Sequence, residues 1–239
     1  MVALRRVRPD GWWLDAAMIA GFVAVTLAVA TGALIGLDVV LRDWCDTHRP
    51  SVAYWAARAV NLLGQGGWLT GICLLLAVFL VWRRRSVRPI LPVVAAFVLT
   101  FVSVTIVKDA TDRPAPHAHQ GTGYTRGHFG DGGVSYPSGH LVNAIVWYGV
   151  LALLLTTWLP ERWRRALRIV PPVVLCLSTV YLGYHWLTDT AAGVMLGVVL
   201  DRILYRTPWD ELPLGPRLAA SGWGRPAIEA TAAVDPARR

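Results

Sequence analysis

The sequence predicts an all-α, polytopic membrane protein with six transmembrane helices, on three observations. Hydrophobic residues make up 55% of the 239-residue chain and charged residues only 16%, against about a quarter charged in an ordinary soluble domain. Long apolar runs recur, most of them near the ~20 residues that a helix needs to cross a bilayer. The cations fall in short clusters between those runs, as topogenic charges do. The net charge of +8 therefore marks orientation, and no nucleic-acid partner is expected.

Taken in order, the expected spans are Ala16–Leu37, Gly67–Trp82, Ile90–Val107, Gly139–Trp158, Ile169–Trp186 and Thr190–Leu204. The basic start and the small residues Ala28 and Ala30 resemble a cleavable signal. The apolar run continues through TGALIGLDVV, however, so a retained first helix is expected. After it, DVVLRDWCDTHRPSVAYWAARAVNLLG has the mixed polarity of one or two interfacial helices broken near Pro50. The second and sixth spans are short, so flanking residues must extend them. Tryptophans near span ends (Trp12, Trp13, Trp68, Trp82, Trp158, Trp186) suit interfacial anchors. Gly32/Gly36 and Gly193/Gly197 have the G-x-x-x-G spacing of packed helices. Cys45, Cys73 and Cys176 are isolated and suggest neither a disulfide framework nor a metal site.

Of the 23 cations, only Arg42, Arg49, Arg58, Lys108, Arg113 and Arg126 fall on one side of this layout. That asymmetry predicts cytoplasmic termini and an external loop after Lys108. One membrane domain over residues 1–206 is expected, followed by a disordered cytoplasmic tail over 207–239, rich in Pro, Gly and Ala.

With this topology, three polar clusters meet at the outer face. FVSVTIVKDATDRPAPHAHQ ends the third span in Lys108 and Arg113; Lys108 is the only lysine in the chain. Both cations suit a phosphate or carboxylate, and a lysine suits a single oxygen where arginine prefers a two-point fork. GDGGVSYPSGHLVNA opens the fourth span. There Pro137 fits a first helical turn, and Ser138, Gly139 and His140 would follow where backbone N–H groups form an anion cradle. STVYLGYHWLTD closes the fifth span. On a helix continued through Asp189, Ser178, Leu182, His185 and Asp189 would share a face. The carboxylate would then hold His185 Nδ1–H and leave Nε2 free to act. Each group has a structural reading too: His140 as a cap or surface group, His185 with Asp189 as a structural pair, Lys108 as a snorkelling anchor. Their convergence on one face suggests a site, because ionisable groups at membrane depth are costly.

These residues resemble the type-2 phosphatidic acid phosphatase family, membrane lipid phosphatases that share a fold with vanadium haloperoxidases. The family pattern is K-x-x-x-x-x-x-R-P, then P-S-G-H, then S-R-x-x-x-x-x-H-x-x-x-D. Pro137–His140 reproduce the second motif, and Ser178, His185 and Asp189 keep the spacing of the third. The resemblance implies hydrolysis of a phospholipid or polyprenyl phosphate or diphosphate, in the plasma membrane, at the extracytoplasmic face. His185 would be the nucleophile that carries the phosphoryl group, Asp189 its orienting partner and His140 the general acid. Lys108, Ser138 and Gly139, with Arg113 as a further cation, would hold the phosphate. No metal or other cofactor is implied, and the partners expected are a lipid phosphate substrate and membrane lipids.

Two positions depart from the pattern. Ala115 stands where the first motif has arginine, with Arg113-Pro114 two residues early, and Thr179 stands where the third has arginine. A hydrogen bond to a charged group contributes about 1.5–3 kcal/mol, so two uncompensated losses would slow turnover some hundredfold or more. Arg113, Arg126, His117, His119 or His128 could compensate, and Thr179 could donate a neutral hydrogen bond. The departures also define an alternative, a family member that binds or translocates lipid phosphates without hydrolysis; a phosphotransferase moving phosphate from lipid to acceptor is a third reading, of related chemistry.

Overall fold

The structure is a computed structural model that describes residues 11–120, 123, 124, 127–214 and 223. The arginines at positions 5, 6 and 8, Arg126, and the expected disorder over most of the tail lie outside the described residues. The described chain is helical apart from one antiparallel pair of two-residue strands, His119–Gln120 (β1) with Gly123–Tyr124 (β2).

Eight α-helices follow in order: α1 (Trp12–Ala30), α2 (Ile35–Thr47), α3 (Ser51–Asn61), α4 (Gly66–Arg84), α5 (Leu91–Thr111), α6 (Gly139–Leu154), α7 (Glu161–Tyr181) and α8 (Leu187–Arg206). Among the described residues, three segments are long and apolar enough to cross a membrane: Trp12–Ala30, Gly66–Arg84 and Arg88–Thr111. Their outward faces expose Ile19 and Val23 on α1, Leu75 and Phe79 on α4, and Phe101 and Ile106 on α5. In water such faces would be association surfaces; against hydrocarbon they cost nothing, because all backbone groups are satisfied within the helix.

The other three expected spans correspond to α6, α7 and α8. The shorter α6 is the central helix. Leu141, Val142, Val146, Trp147 and Leu154 on it are almost fully buried, packed by α4, α5, α7 and α8. Small residues let the helix axes approach, as they must where lipid removes the hydrophobic drive for helix association. A Cβ at Gly193 of α8 would lie 2.7 Å from the carbonyl oxygen of Ser138, at the start of α6. At Gly197 the nearest atoms, on Ile145 and Val142, also belong to α6.

Three expectations change. The first span is two helices: α1 stops at Ala30, Thr31 Oγ1 donates back to Leu27 O at 3.0 Å, and α2 begins at Ile35. Gly32 and Gly36 thus fall at this break, and nothing lies within 4 Å of a Cβ at Gly36. α2 and α3 are the two amphipathic helices expected around Pro50, which precedes α3. Pro137 lies outside α6, whose N-cap is Ser138. Finally, α7 does not run on to Asp189: it ends at Tyr181, Gly183 takes φ +67° and α8 starts at Leu187. The left-handed glycine ends the helix at low cost, and a Cβ there would meet the His117 ring at 2.1 Å.

Gly193→Ala therefore overpacks the α6–α8 contact and is expected to destabilise the protein by about 1–3 kcal/mol. Gly71→Ala on α4, where nothing lies within 4 Å of the new Cβ, is neutral or stabilising by up to about 1 kcal/mol. Melting midpoints of the two variants in detergent separate these outcomes.

Candidate active site

The loop between α5 and α6 is pinned before it reaches the site. α5 is capped by Asp112, at φ +44°, and the Asp112 carboxylate accepts the Gly133 N–H at 2.8 Å. Ser135 N–H then donates to Arg113 O at 2.8 Å, and Ser138 N–H to Asp189 O at 2.9 Å. Tyr136 is fully buried, its hydroxyl 2.6 Å from Thr26 Oγ1, and burial pushes its phenol up to about 12. This loop therefore carries Ser135 and Ser138 at fixed heights against the start of α8.

Arg113, with 0% exposure, is the hub. Its Nε donates to Gly127 O at 2.7 Å, Nη1 to Thr188 Oγ1 at 2.7 Å and to Asp189 Oδ1 at 2.5 Å, and Nη2 to Asp38 Oδ2 at 2.7 Å. Asp38, on α2, accepts the Thr188 N–H at 3.0 Å and the Thr188 hydroxyl at 2.5 Å. The expected role of Arg113 in gripping phosphate is thus corrected: its early position aims the guanidinium under the site, at two buried carboxylates. Trp186 closes over this hub, its Nε1–H donating to Pro114 O at 2.8 Å, with the Arg113 guanidinium 5.4 Å from its ring centre.

Asp189 sits in the first turn of α8 and reaches back to accept the Trp186 N–H at 3.1 Å. Its Oδ2 also accepts the Ser135 hydroxyl at 2.5 Å. His185, in the turn between α7 and α8, places Nδ1 3.2 Å from Ser135 Oγ and 3.6 Å from Asp189 Oδ2. The ion-pair separation is too long for a hydrogen bond, so Ser135 links the two. A consistent proton assignment has His185 Nδ1–H donating to Ser135 Oγ and the Ser135 O–H donating to Asp189. That leaves a lone pair on His185 Nε2, which faces His140 Nδ1 at 3.3 Å.

Around this pair lie the other expected residues. Ser138 Oγ is buried with no hydrogen-bond partner among the described residues. The N–H groups of the first turn of α6, from Gly139 on, have no intrahelical acceptor. Lys108, at the end of α5, donates from Nζ to Val134 O, and a Cβ built on Gly139 would stand 4.0 Å from that nitrogen. The ammonium, an unpartnered hydroxyl and helix-start amides thus form a cradle for an anion beside the two histidines.

Other expected residues lie elsewhere. Ser178 Oγ accepts from Asn61 Nδ2 at 3.3 Å and ties α7 to α3. Thr179 is fully buried and donates to Leu175 O at 2.6 Å, within its own helix, so it offers the site no hydrogen bond. His117 packs over Gly183 with Nε2 3.0 Å from Asp46. Burial, with Arg49 next, pushes His117 below the ordinary histidine range, so at neutral pH this contact is a neutral N–H donation. His128 is exposed against Gly32; Arg126 and the His119 side chain lie outside the described residues. No group of three or more His, Cys, Asp or Glu side chains among the described residues is arranged to hold a metal ion.

Sequence reasoning missed Asp38, Ser135 and Thr188. Asp38 had a signal: it is a carboxylate within an apolar run, which is costly unless paired. Ser135 had none, because its neighbours give no hint that its hydroxyl lies between His185 and Asp189.

Arg113→Gln leaves the buried carboxylates Asp38 and Asp189 without their cation, at a cost of about 3–5 kcal/mol. Adding Asp38→Asn removes one of them and is expected to recover part of the lost melting midpoint, a non-additive result. Additive losses in the double variant would mean the three groups do not act as one unit.

Comparison with known proteins bears on these residues. Residues 89–213 match the PAP2 superfamily. A 63-residue segment is 44% identical to undecaprenyl-diphosphatase of Sulfolobus acidocaldarius, covering 26% of this chain and 28% of that protein. A 71-residue segment is 39% identical to phosphatidylglycerophosphatase B of Bacillus subtilis, covering 28% of this chain and 35% of that protein. The matches therefore span about a third of these relatives or less. The crystal structure of a transmembrane PAP2-type phosphatidylglycerolphosphate phosphatase from Bacillus subtilis superposes with a TM-score of 0.66 at 22% identity, covering 80% of this chain and 94% of that one. That likeness is one of fold.

Proposed function

We propose, from the premise that this chain belongs to the PAP2 superfamily, that it is an integral-membrane lipid phosphatase working through a phosphohistidine. In this reading α1, α4, α5, α6, α7 and α8 cross the plasma membrane. α2 and α3 lie along the outer interface, both termini are cytoplasmic, and the histidines face the extracytoplasmic side. The arginines clustered after α4 and at the start of α7 support that orientation.

The observation that carries the mechanism is the contact between His140 and His185, with His185 Nδ1 held through Ser135 to Asp189. The lone pair of His185 Nε2 attacks phosphorus and the bond to the leaving oxygen breaks, while His140 gives that oxygen a proton. Water then attacks the phosphohistidine, His140 takes its proton, and inorganic phosphate leaves. Lys108, Ser138 Oγ and the Gly139 N–H stabilise the equatorial oxygens, where charge concentrates. A 3.3 Å separation is too short to hold phosphorus between the rings, so substrate entry swings the His140 ring aside, as catalytic contacts often rearrange on binding.

The substrate reading rests on the walls. A groove of about 530 Å³ between α2, α3 and α7 is lined by apolar side chains. It shares Leu41, Val180 and Leu187 with a small cavity that touches His185. An acyl or prenyl tail in that groove brings its phosphate to the histidines. The names of the relatives suggest phosphatidylglycerol phosphate or a polyprenyl diphosphate as head groups.

A second reading, lipid-phosphate binding or translocation without hydrolysis, draws on one observation. Arg113 serves carboxylates and Thr179 serves its own helix, which leaves Lys108 as the cation beside the cradle. Phosphate release from a panel of lipid phosphates in EDTA separates the readings. Release by wild type, none by His185→Ala, and a rate lowered about tenfold to a hundredfold by Lys108→Gln are expected for the enzyme. Binding without release supports the second.

A further inference from the structure

At the end of the bundle away from the two histidines, α7 and α8 border a second groove of about 580 Å³, which meets the substrate groove only at Cys176 and Leu177. Its length is apolar: Ile169, Pro172, Val173 and Leu177 on α7 face Val194 and Val198 on α8. Charge is confined to one end, where Arg165, Arg168, Asp201 and Arg202 close it. Arg165 and Leu177 are both in α7, and their twelve-residue separation is about 18 Å at 1.5 Å per residue. Half of a ~30 Å hydrocarbon core is about 15 Å, so the lane is as long as one leaflet is deep. Such a lane suits a ligand with one charged end and one chain of that length.

The sign of the charged end follows from the ion pairs. Among the described residues, three arginines, Arg164, Arg165 and Arg168, share two carboxylates there, Glu161 and Asp201. Arg165 donates from Nε to Glu161 at 2.9 Å, and both its terminal nitrogens lack a partner among the described residues. Arg168 donates from Nη2 to Asp201 at 2.6 Å and stacks 3.9 Å from the Tyr205 ring centre, leaving Nη1 without one. Guanidinium donors in excess over carboxylates, at a bilayer's edge and beside an acyl-sized lane, suit a phosphate.

We propose that this groove binds one anionic phospholipid, with a chain along α7 and α8 and its phosphate on Arg165 and Arg168. The site is distinct from the catalytic cradle and does not rest on the hydrolytic reading. The lipid belongs to the leaflet opposite the histidines.

The test is native mass spectrometry of the purified full chain with dioleoyl-phosphatidylglycerol or dioleoyl-phosphatidylcholine. Phosphatidylglycerol has no terminal phosphate ester for the enzyme to remove. Wild type is expected to retain one phosphatidylglycerol in preference to phosphatidylcholine. Arg165→Gln, at an exposed position, should lower that retention about fivefold. Arg83→Gln, a cation outside the groove that packs on Trp158, should leave it unchanged. Val173→Trp, which fills the lane, should lower it as well. Equal retention of the two lipids, or equal losses in Arg165→Gln and Arg83→Gln, overturns the proposal. So does retention that survives Arg165→Gln but falls in Lys108→Gln, which would assign the lipid to the catalytic cradle.

Discussion

One guanidinium between two carboxylates holds this site together. Asp38 comes from α2, Arg113 from just past α5, and Asp189 from the first turn of α8, so three segments far apart in sequence meet at one buried charge. Taking such ions out of water costs several kcal/mol each, and the arrangement survives only because hydrogen bonds satisfy the oxygens. Thr188 supplies two to Asp38, and Ser135 and the Trp186 amide supply the rest to Asp189. If any of these elements shifts, an unpaired charge is left in a buried place. The α7–α8 turn, and with it His185, therefore has one position open to it.

In the proposed mechanism the same network sets the electrostatics of the nucleophile. Two carboxylates share a single guanidinium, so Asp189 is only half neutralised by Arg113 and keeps charge with which to stabilise an imidazole that becomes cationic. Ser135 transmits that charge without requiring the carboxylate to touch the ring, since Asp189 Oδ2 stands 3.6 Å from Nδ1. Thr179 stands where the family pattern has arginine. The neutral hydroxyl there turns into its own helix, and the positive charge nearest the phosphate cradle is left to the flexible stem of Lys108.

Much of this was legible in the sequence, for reasons that differ by residue. Apolar period and arginine clusters gave six helical segments near their observed places, because helix length and hydropathy are local properties. PSGH and the four-residue spacing of His185 and Asp189 pointed to side chains that the fold does bring together. Local signals failed where the chain breaks: Gly32 divides the first apolar run, and Gly183 divides what reads as one helix from Ser178 to Asp189. His185 and Asp189 still meet, through a turn and a helix start instead of a shared face. The use of Arg113 was not legible at all, since its partners lie 75 and 76 residues away in sequence. An arginine near a family's phosphate-binding position reads as phosphate-binding until the carboxylates around it are seen.

The central claim is that this buried network presents His185 Nε2 as a nucleophile toward phosphorus. Rapid acid-free quench of the protein turning over a lipid phosphate, followed by peptide mass spectrometry, tests it most directly. A phosphoryl group on the peptide containing His185, stable to base and lost in acid, is the predicted result. It should build up further in a His140 variant that is slow to activate water. Turnover with no phosphoryl group on His185, in wild type and in that variant alike, would contradict the account.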